Sequence, residues 1–173
     1  IKNKLKYVDG LIIQVEFNEK PNEELIELLE KNMEQLGVKV DEYMQANATI
    51  DEFPLADKIL LDVPCSGTGV TARKSDLRWN RNAKDIDNYA SIQLEMLLNM
   101  AKFVKEEGHL VYSTCSLEPE ENWEVIEKFL RKMDGFTIVD ASTLISRDFC
   151  DKRGAMNIKP FKNKLTGSFA VKM

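Results

Sequence analysis

The stretch that decides the fold is KILLDVPCSGTG at residues 58–69, in which an apolar run leads into a cysteine within a glycine-containing turn. The run of isoleucine, leucine and valine over residues 58–63 predicts a buried, central β-strand. The stretch HLVYSTCS at residues 109–116 repeats this arrangement and reaches a second cysteine. Because open α/β sheets form their sites at the carboxyl ends of strands, we expect Cys65 and Cys115 to lie in one crevice.

Strands and helices alternate along the rest of the chain. The hydrophobic periodicity predicts strands at residues 11–17, 38–45, 58–63, 109–114, 136–139 and 167–173, and helices that begin at Pro21, near Ile86 and at Glu118. Gly37 and Gly108 are predicted to end the first two helices. This alternation favours a mostly parallel sheet with helices on both faces, so the predicted fold is a three-layer α/β domain over residues 1–173.

The composition is typical of a soluble globular protein. The 173 residues carry a net charge of −5, 43% are hydrophobic and three are cysteine. No apolar run approaches the roughly 18 residues that span a bilayer. The polar start, IKNK at residues 1–4, has neither a signal-peptide pattern nor an initiator methionine, and it is interpreted as a truncation or processing point. An odd number of cysteines without a secretion signal fits a reducing compartment, so we expect an intracellular protein.

Two segments are basic although the whole chain is acidic. Four cations and one acid lie within residues 73–81, and residues 152–173 contain six lysines or arginines and no acid. Such segments attract nucleic-acid phosphates, but they are equally typical of solvated loops. The net charge alone therefore decides nothing about a nucleic-acid partner.

The two cysteines and Asp62 are the residues with candidate chemistry. A thiolate is the strongest side-chain nucleophile, yet a small buried cysteine is also a common core residue. Asp62 favours a functional role, because a carboxylate at the end of an apolar strand is costly to bury without a task or a partner. The acids at Glu118, Glu120 and Glu121 oppose ionisation of the preceding Cys115. No metal centre is predicted, since three dispersed cysteines and one histidine form no ligand cluster.

Two motifs carry a family resemblance. DVPCSGTG at residues 62–69, followed by TCSLEPEEN at residues 114–122, resembles the paired motifs of RNA cytosine-5 methyltransferases of the Fmu/Sun (NSUN) type. The resemblance extends from about residue 10 to the end of the chain and includes TGSFAV at residues 166–171. It implies a Rossmann-like class I methyltransferase fold and S-adenosylmethionine as cofactor. The implied substrate is a ribosomal or transfer RNA in which cytosine becomes 5-methylcytosine.

The resemblance also implies a role for each site residue. Cys115 would be the nucleophile that adds to cytosine carbon 6, and Cys65 would assist product release. In DNA cytosine methyltransferases the Pro-Cys thiol attacks instead, so the opposite assignment stays open. Asp62 would contact the cofactor or the cytosine ring near N3. Glu16 would hold the cofactor ribose, and Asn47, where the family has aspartate, would accept a hydrogen bond from the adenine amino group.

The remaining expectations concern RNA binding and the start of the chain. Four residues are candidate contacts to RNA phosphates: Arg73, Lys74, Arg78 and Arg81. Trp79 is interpreted as a core residue. The family's glycine-rich cofactor loop and the strand before it are absent before Ile1, so the predicted sheet lacks its first strand. Two hypotheses therefore stand beside the enzyme: a catalytically inactive RNA-binding relic of the fold, and a dithiol redox protein that needs both sulfurs at disulfide distance.

Overall fold

The computed structural model describes Glu27, residues 31–35, Gly37 and residues 46–173, and the chain forms two compact units, residues 1–51 and 52–173. In the first unit, residues 31–35 are helical and Gly37 has a left-handed φ of 67°, which agrees with a helix that ends there. The predicted strands 11–17 and 38–45 and the predicted ribose contact Glu16 lie outside the described residues.

The second unit contains both cysteines, in loops that follow two of its strands. Within its described residues the strands and helices follow one another as β1 (Ala56–Asp62), α1 (Ala83–Met100), β2 (Val104–Thr114), α2 (Trp123–Leu130), β3 (Met156–Ile158), α3 (Pro160–Asn163) and β4 (Ser168–Lys172). The start of α1 is fixed by a capping box, in which the side chains of Asn82 and Asp85 each accept a hydrogen bond from the other's backbone amide. No helix in the described part of the chain is long and apolar enough to cross a membrane.

The strands β1 to β4 form one sheet in the order β1-β2-β4-β3. β1 and β2 pair in parallel, as predicted for two strands joined by a helix, and β4 runs antiparallel to both β2 and β3. The register sets Asp62 opposite Ser113, so the chain leaves both parallel strands at the same edge of the sheet. The two cysteine-bearing loops therefore begin side by side.

The core of this unit lies between the sheet and the two longer helices. Alternate residues of β2 and β4 are buried, as are the apolar faces of α1 and α2: Leu110, Tyr112, Phe169, Val171, Met96, Leu97, Val125, Ile126 and Phe129. α1 and α2 contact each other, and Trp123 of α2 packs edge-to-face on Phe169 of β4 with ring centroids 5.5 Å apart. This packing holds α1, whose Gln93 contacts the loop after β1, and α2, which directly follows Glu121 and Asn122.

The predicted end of the second helix at Gly108 is wrong. α1 ends at Met100, and β2 has already begun at Val104. The pattern misleads here because Val104 continues the apolar stripe of the helix although it pairs with β1. A Cβ at Gly108 would lie 2.8 Å from the carbonyl oxygen of Lys105, so glycine is required by an irregular part of the strand and not by a helix end.

Two shorter predictions also differ from the structure. The predicted strand at residues 136–139 is reduced to a single bridge between Val139 and Lys172. β3 (Met156–Ile158) has no counterpart among the predicted strands, because three residues are too few to show a period of two. The predicted last strand, residues 167–173, is confirmed as β4.

Candidate active site

The two cysteines at the strand ends lie in contact. The Sγ atoms of Cys65 and Cys115 are 3.0 Å apart, and both thiols are free and half-buried. Cys115 directly follows β2, and Cys65 lies in the loop after β1, so the parallel pairing of these strands creates the contact. The part of the prediction that brings the two thiols together is confirmed.

The contact makes the two thiols chemically unequal. The hydrogen bond from Cys65 lowers the pKa of Cys115 to about 7, although partial burial and the charge of Asp62 act to raise it. For Cys65 the same hydrogen bond has the opposite effect and raises the pKa, and burial raises it further by a smaller amount. Cys115 is therefore the thiol that ionises first, and Cys65 is its hydrogen-bond donor.

The loop after β1 is held by side chains from three parts of the fold. Gln93 of α1 donates to the carbonyl oxygen of Pro64 at 2.8 Å. Glu121 accepts a hydrogen bond from the amide of Ser66 at 2.8 Å, and Nε of Arg81 donates to the carbonyl oxygen of Ser66 at 3.1 Å. These contacts fix the backbone on both sides of the first cysteine.

The loop after β2 is held by a buried polar network. The Asn122 side chain accepts from Thr114 Oγ1 at 2.7 Å and donates to the carbonyl oxygen of Ser116 at 3.0 Å. Ser116 Oγ donates to the Glu121 carboxylate at 2.5 Å. All four residues are buried, and paired buried polar groups hold a loop in one conformation.

A close approach of two glycines joins the site to the loop before β4. Gly69 donates to the carbonyl oxygen of Cys115 at 2.9 Å and accepts from the amide of Gly167 at 2.9 Å. A Cβ on Gly69 would lie 2.6 Å from that carbonyl oxygen and 3.0 Å from the Cα of Gly167. Both neighbours are backbone atoms, so position 69 requires glycine.

Gly69→Ala is expected to lower the free energy of unfolding by about 1–3 kcal/mol, because the added methyl group forces two backbone segments apart. Urea unfolding followed by circular dichroism measures this change. Ser75→Ala, at an exposed position of the same loop, is the control and should stay within about 0.5 kcal/mol of the parent. A Gly69→Ala protein as stable as the parent would contradict the close approach.

Asp62 ends β1 with an exposed carboxylate, so the cost of burial does not apply to it and gives no support to a functional role. Its Oδ1 accepts a hydrogen bond from Ser113 Oγ of β2 at 2.7 Å, which orients the carboxylate. Its negative charge raises the pKa of Cys115, so the two groups interact. An oriented, exposed carboxylate beside a thiol is suited to contact a ligand.

Asn47, in the first unit, closes a local turn. The backbone amide of Asn47 donates to the Asp51 carboxylate at 2.6 Å. The Asn47 Oδ1 accepts hydrogen bonds from the backbone amide of Thr49 at 3.0 Å and from Thr49 Oγ1 at 2.8 Å. These bonds use both acceptor positions of the oxygen that would face adenine. The adenine contact stays a prediction.

The four candidate phosphate contacts differ in their surroundings. Arg73 and Lys74 are exposed. Arg81 is half-buried and, besides its bond to the backbone, lies 5.5 Å from the ring centroid of Tyr89. Arg78 ends a 3-10 turn, and its side chain lies outside the described part of the chain. Arg73 and Lys74 therefore have the exposure that suits a phosphate contact.

Trp79 lies on the surface, with 87% of its side chain exposed, so the interpretation of this residue as part of the core is wrong. It directly follows the 3-10 turn Ser75–Arg78. Leu77 is the residue of this turn that packs inward, against Gly67. An exposed tryptophan near arginines can stack on an unpaired base.

A cleft of about 350 Å³ opens beside the cysteine loops. It is lined by Gly69, Val70, Ala72, Arg73, Pro160, Lys164, Leu165 and Thr166. Arg73 and Lys164 give it positive charge. Phe161, next to the lining residue Pro160, is 80% exposed. The cleft thus combines cations with a neighbouring exposed aromatic ring.

Cys150, the third cysteine, has a different environment. Its Sγ donates to the carbonyl oxygen of Ser146 at 3.6 Å, and burial raises the pKa of the thiol. Among the described residues, no three His, Cys, Asp or Glu side chains are grouped so that they could hold a metal ion. Because Cys150 hydrogen-bonds to Ser146 and not to another thiol, it serves as an internal control for Cys65 and Cys115.

Sequence reasoning misses Glu121 as part of the site. The pattern predicts a solvated acid in the first turn of a helix, whereas its side chain is fully buried at the end of the 3-10 turn Pro119–Glu121. Nothing in the hydrophobic pattern distinguishes it from Glu120. The signal that was available is its position inside the second motif, close to Cys115.

Comparison with known proteins identifies the family. A sequence model of the family described as 16S rRNA methyltransferase RsmB/F matches residues 5–173. The chain belongs to this family. The resemblance to Fmu/Sun-type methyltransferases, read from the two cysteine motifs, is confirmed.

Curated relatives of this RsmB/F-family chain are longer proteins. The ribosomal RNA small subunit methyltransferase B of Shewanella oneidensis is 36% identical over 124 residues, which cover 70% of this chain and 28% of the relative. The probable ribosomal RNA small subunit methyltransferase B of Bacillus subtilis is 37% identical over 115 residues, covering 64% and 26%. The chain therefore spans less than a third of the length of these relatives.

Solved structures of similar proteins share the fold. NSun6 from Pyrococcus horikoshii with SFG is 31% identical, with a TM-score of 0.76 over 94% of this chain and 41% of that one. A methyltransferase homolog protein from the same organism is 27% identical, with a TM-score of 0.71 over 95% and 53%. The mixed sheet of this RsmB/F-family chain thus has the Rossmann-like methyltransferase fold predicted for it.

Proposed function

We propose that this chain is the catalytic core of an S-adenosylmethionine-dependent RNA (cytosine-5) methyltransferase that works through a covalent cysteine adduct at cytosine carbon 6. The observation that carries the proposal is the 3.0 Å contact between Cys65 and Cys115 at the ends of parallel strands, with Cys115 as the thiol of lower pKa. Membership of the RsmB/F family supports small-subunit ribosomal RNA as the substrate.

A thiolate solves the chemical problem of this reaction. Carbon 5 of cytosine is a poor nucleophile while the ring stays aromatic. Addition of the Cys115 thiolate to carbon 6 forms a C–S bond, removes the 5,6 double bond and leaves an enamine whose carbon 5 is nucleophilic. S-adenosylmethionine, when bound, would supply the sulfonium methyl group, so that carbon 5 gains the methyl group as the methyl–sulfur bond breaks and S-adenosylhomocysteine leaves. Loss of the carbon 5 proton to water then restores the double bond and releases Cys115 as a thiolate.

Asp62 and Cys65 would support this sequence of steps. The exposed carboxylate of Asp62, oriented by Ser113, suits a contact to the N3 edge of cytosine or to the cofactor. The S–H group of Cys65 would donate a hydrogen bond to the Cys115 thiolate before attack and again as it leaves. These groups fit a methyl-transfer site, and the cofactor contacts of Glu16 and Asn47 stay predictions.

The test is methyl transfer by the full product of the gene, because the curated relatives are longer than this chain. A small-subunit ribosomal RNA transcript and labelled S-adenosylmethionine are the substrates, and mass spectrometry of the digested nucleosides identifies the product. RNA that contains 5-fluorocytosine should form a covalent complex at Cys115, since fluorine cannot leave carbon 5 as the proton does. Methylation at another atom, or methylation without a covalent complex, would contradict the proposal.

The charged cleft is the proposed contact for the RNA strand beside the target cytosine. Arg73 and Lys164 suit backbone phosphates, and the exposed ring of Phe161 suits an unpaired base. Gly69 lines the cleft and bonds to the backbone of Cys115. An RNA strand in the cleft would therefore lie close to the backbone of Cys115.

Replacing Arg73 and Lys164 together by glutamate is expected to weaken RNA binding by about tenfold and to reduce its salt dependence, because two phosphate contacts are lost. Filter binding over a range of salt concentrations measures both effects. Lys84→Glu combined with Lys132→Glu reverses two exposed cations outside the cleft and is the matched control. An equal loss in the control would contradict the cleft as the RNA contact. Affinity for S-adenosylmethionine should stay unchanged in both variants.

A second candidate function, an RNA-binding relic without methyl transfer, is favoured by Asn47. This residue stands where the family has aspartate, and its amide oxygen accepts two hydrogen bonds from Thr49. A calorimetric titration with S-adenosylmethionine separates the two candidates. Saturable binding supports the enzyme, whereas salt-sensitive RNA binding without cofactor binding supports the relic.

The dithiol redox hypothesis uses the same contact between Cys65 and Cys115, because sulfurs 3.0 Å apart need little movement to form a bond. The family membership favours methyl transfer over this alternative. A free-thiol count that does not change under oxidation would eliminate it.

A further inference from the structure

Glu121 is a carboxylate buried between the two cysteine loops, with a side-chain exposure of 0%. Its Oε1 accepts hydrogen bonds from the amide of Ser66 at 2.8 Å and from Nε2 of Gln93 at 3.0 Å. Its Oε2 accepts from the hydroxyl groups of Ser66 and Ser116. Four donors therefore converge on the two oxygens of one side chain.

These hydrogen bonds connect the loops at the residue next to each thiol. Ser66 directly follows Cys65, and Ser116 directly follows Cys115. The 3.0 Å contact between the thiols requires that the two loops keep a fixed separation. The Glu121 bridge lies where it can set that separation.

The bridge is itself anchored in the core. The hydroxyl group of Tyr112, a fully buried residue of β2, donates to the backbone carbonyl oxygen of Glu121 at 2.6 Å. Nε2 of Gln93 in α1 donates to the Glu121 carboxylate and also, at 2.8 Å, to the backbone carbonyl oxygen of Pro64. A buried carboxylate with every oxygen hydrogen-bonded rigidifies its surroundings, and its removal leaves several donors without a partner.

The negative charge of Glu121 does not explain why this side chain is buried between the two cysteine loops. This charge raises the pKa of Cys115 and so opposes formation of the thiolate. The hydrogen bond from Cys65 is the largest influence in the opposite direction, and it depends on the distance between the loops. The benefit of Glu121 to the thiol pair is therefore geometric.

We propose that Glu121 is a positioning residue that holds Cys65 against Cys115 and thereby sets the reactivity of the thiol pair. Because its side chain is fully buried, it acts through the two loops and touches neither RNA nor cofactor. Its effect on methyl transfer rests on the proposed function, whereas its effect on thiol reactivity does not.

Alkylation by iodoacetamide tests the proposal without RNA or cofactor. The rate at Cys115 is followed against pH in the full gene product, with Cys150→Ser as the common background. Glu121→Ala removes the bridge, so the pKa of Cys115 should rise toward its ordinary value of 9.0, and alkylation at pH 7 should slow by about tenfold. Glu124→Ala removes an exposed acid at the start of α2 and should leave the rate unchanged.

Glu121→Gln separates geometry from charge. The amide oxygen can accept from Ser66 and Gln93, while the amide nitrogen donates to the serine hydroxyl groups, which reverse their direction. The variant should therefore alkylate at Cys115 as fast as the parent or faster. If the charge were the property that matters, Glu121→Gln and Glu121→Ala would behave alike.

A second variant and a kinetic readout complete the test. Ser116→Ala breaks one link of the bridge and should slow alkylation less than Glu121→Ala, which keeps the test decisive where Glu121→Ala does not fold. In methyl transfer, Glu121→Ala and Ser116→Ala should lower kcat with little change in the KM for RNA, and Glu121→Gln should restore kcat.

Two results would overturn the proposal: a folded Glu121→Ala protein with the alkylation profile of the parent, or a Glu121→Gln protein as slow as Glu121→Ala. The proposed function fails in a different way. If Glu121→Ala slows alkylation of Cys115 and Glu121→Gln does not, but the parent protein transfers no methyl group, the methyltransferase is refuted and the positioning role is supported.

Discussion

Methyl transfer by the Cys115→Ala variant is expected to fall by on the order of 10³-fold or more, because the bond to carbon 6 on which every later step depends is not formed. The covalent complex with 5-fluorocytosine RNA should be lost as well. Transfer of a labelled methyl group measures the first effect, and denaturing gel electrophoresis of the protein–RNA complex measures the second.

Cys65→Ala is expected to give the opposite phenotype. This variant should form the adduct and release it slowly, so that RNA stays attached even without fluorine at carbon 5. The assay is run near pH 9, where Cys115 ionises without help from Cys65. Cys150→Ser is the control, since Cys150 hydrogen-bonds elsewhere and should behave as the parent does. Trapped RNA in the Cys115→Ala variant would instead reverse the assignment of the two thiols.

The alkylation rate of Cys115 is expected to rise with pH through about 7 and then to level off. The thiolate is the reacting form, so the rate falls about tenfold for each pH unit below the pKa and is constant above it. Cys65→Ala removes the hydrogen bond that lowers the pKa of Cys115. The midpoint should therefore move toward 9.0, and the rate at pH 7 should fall by about tenfold or more.

Cys65→Ser is the matched variant for this pH profile, because its hydroxyl group can still donate to the Cys115 thiolate. Its midpoint should lie below that of Cys65→Ala. Mass spectrometry of the digested protein assigns the label to Cys115 and not to Cys65 or Cys150. A midpoint near 9.0 in the parent, or no difference between the parent and Cys65→Ala, would contradict the role of the hydrogen bond.

The parts of the fold that the sequence predicts are those with long local signals. The apolar runs before Cys65 and Cys115 predict both strands, and the helix between them predicts their parallel pairing. The prediction that the first of these strands is buried and central is wrong for the described part of the sheet, where β1 is the outermost strand and Leu60 is 69% exposed. The motifs at the strand exits then locate the candidate site. Gly108 shows the limit, because a glycine after an apolar stripe is typical of a helix end and also of an irregular strand.

The parts that the sequence does not predict depend on long-range packing. Trp79 has a large apolar side chain, which favours a place in the core. It is nevertheless exposed, and Leu77 of the preceding turn packs inward in its place. Glu121 is the opposite case, a charged residue that is buried. The sequence does not predict this burial, because a glutamate at the start of a helix is normally solvated. Its burial follows only when Ser66, Gln93 and Ser116 are brought around it by the completed sheet.

The bridge through Glu121 also has a consequence for the order of folding. It joins Ser66 to a residue 55 positions later, and the two thiols are themselves 50 positions apart. Contacts between such distant segments form after local helices and turns, because closing a long loop restricts the chain before any contact stabilises it. During synthesis, Cys65 emerges long before its partner and is then an ordinary thiol. The reactive pair is thus a property of the finished domain, and fast alkylation of Cys115 at neutral pH would report that folding is complete.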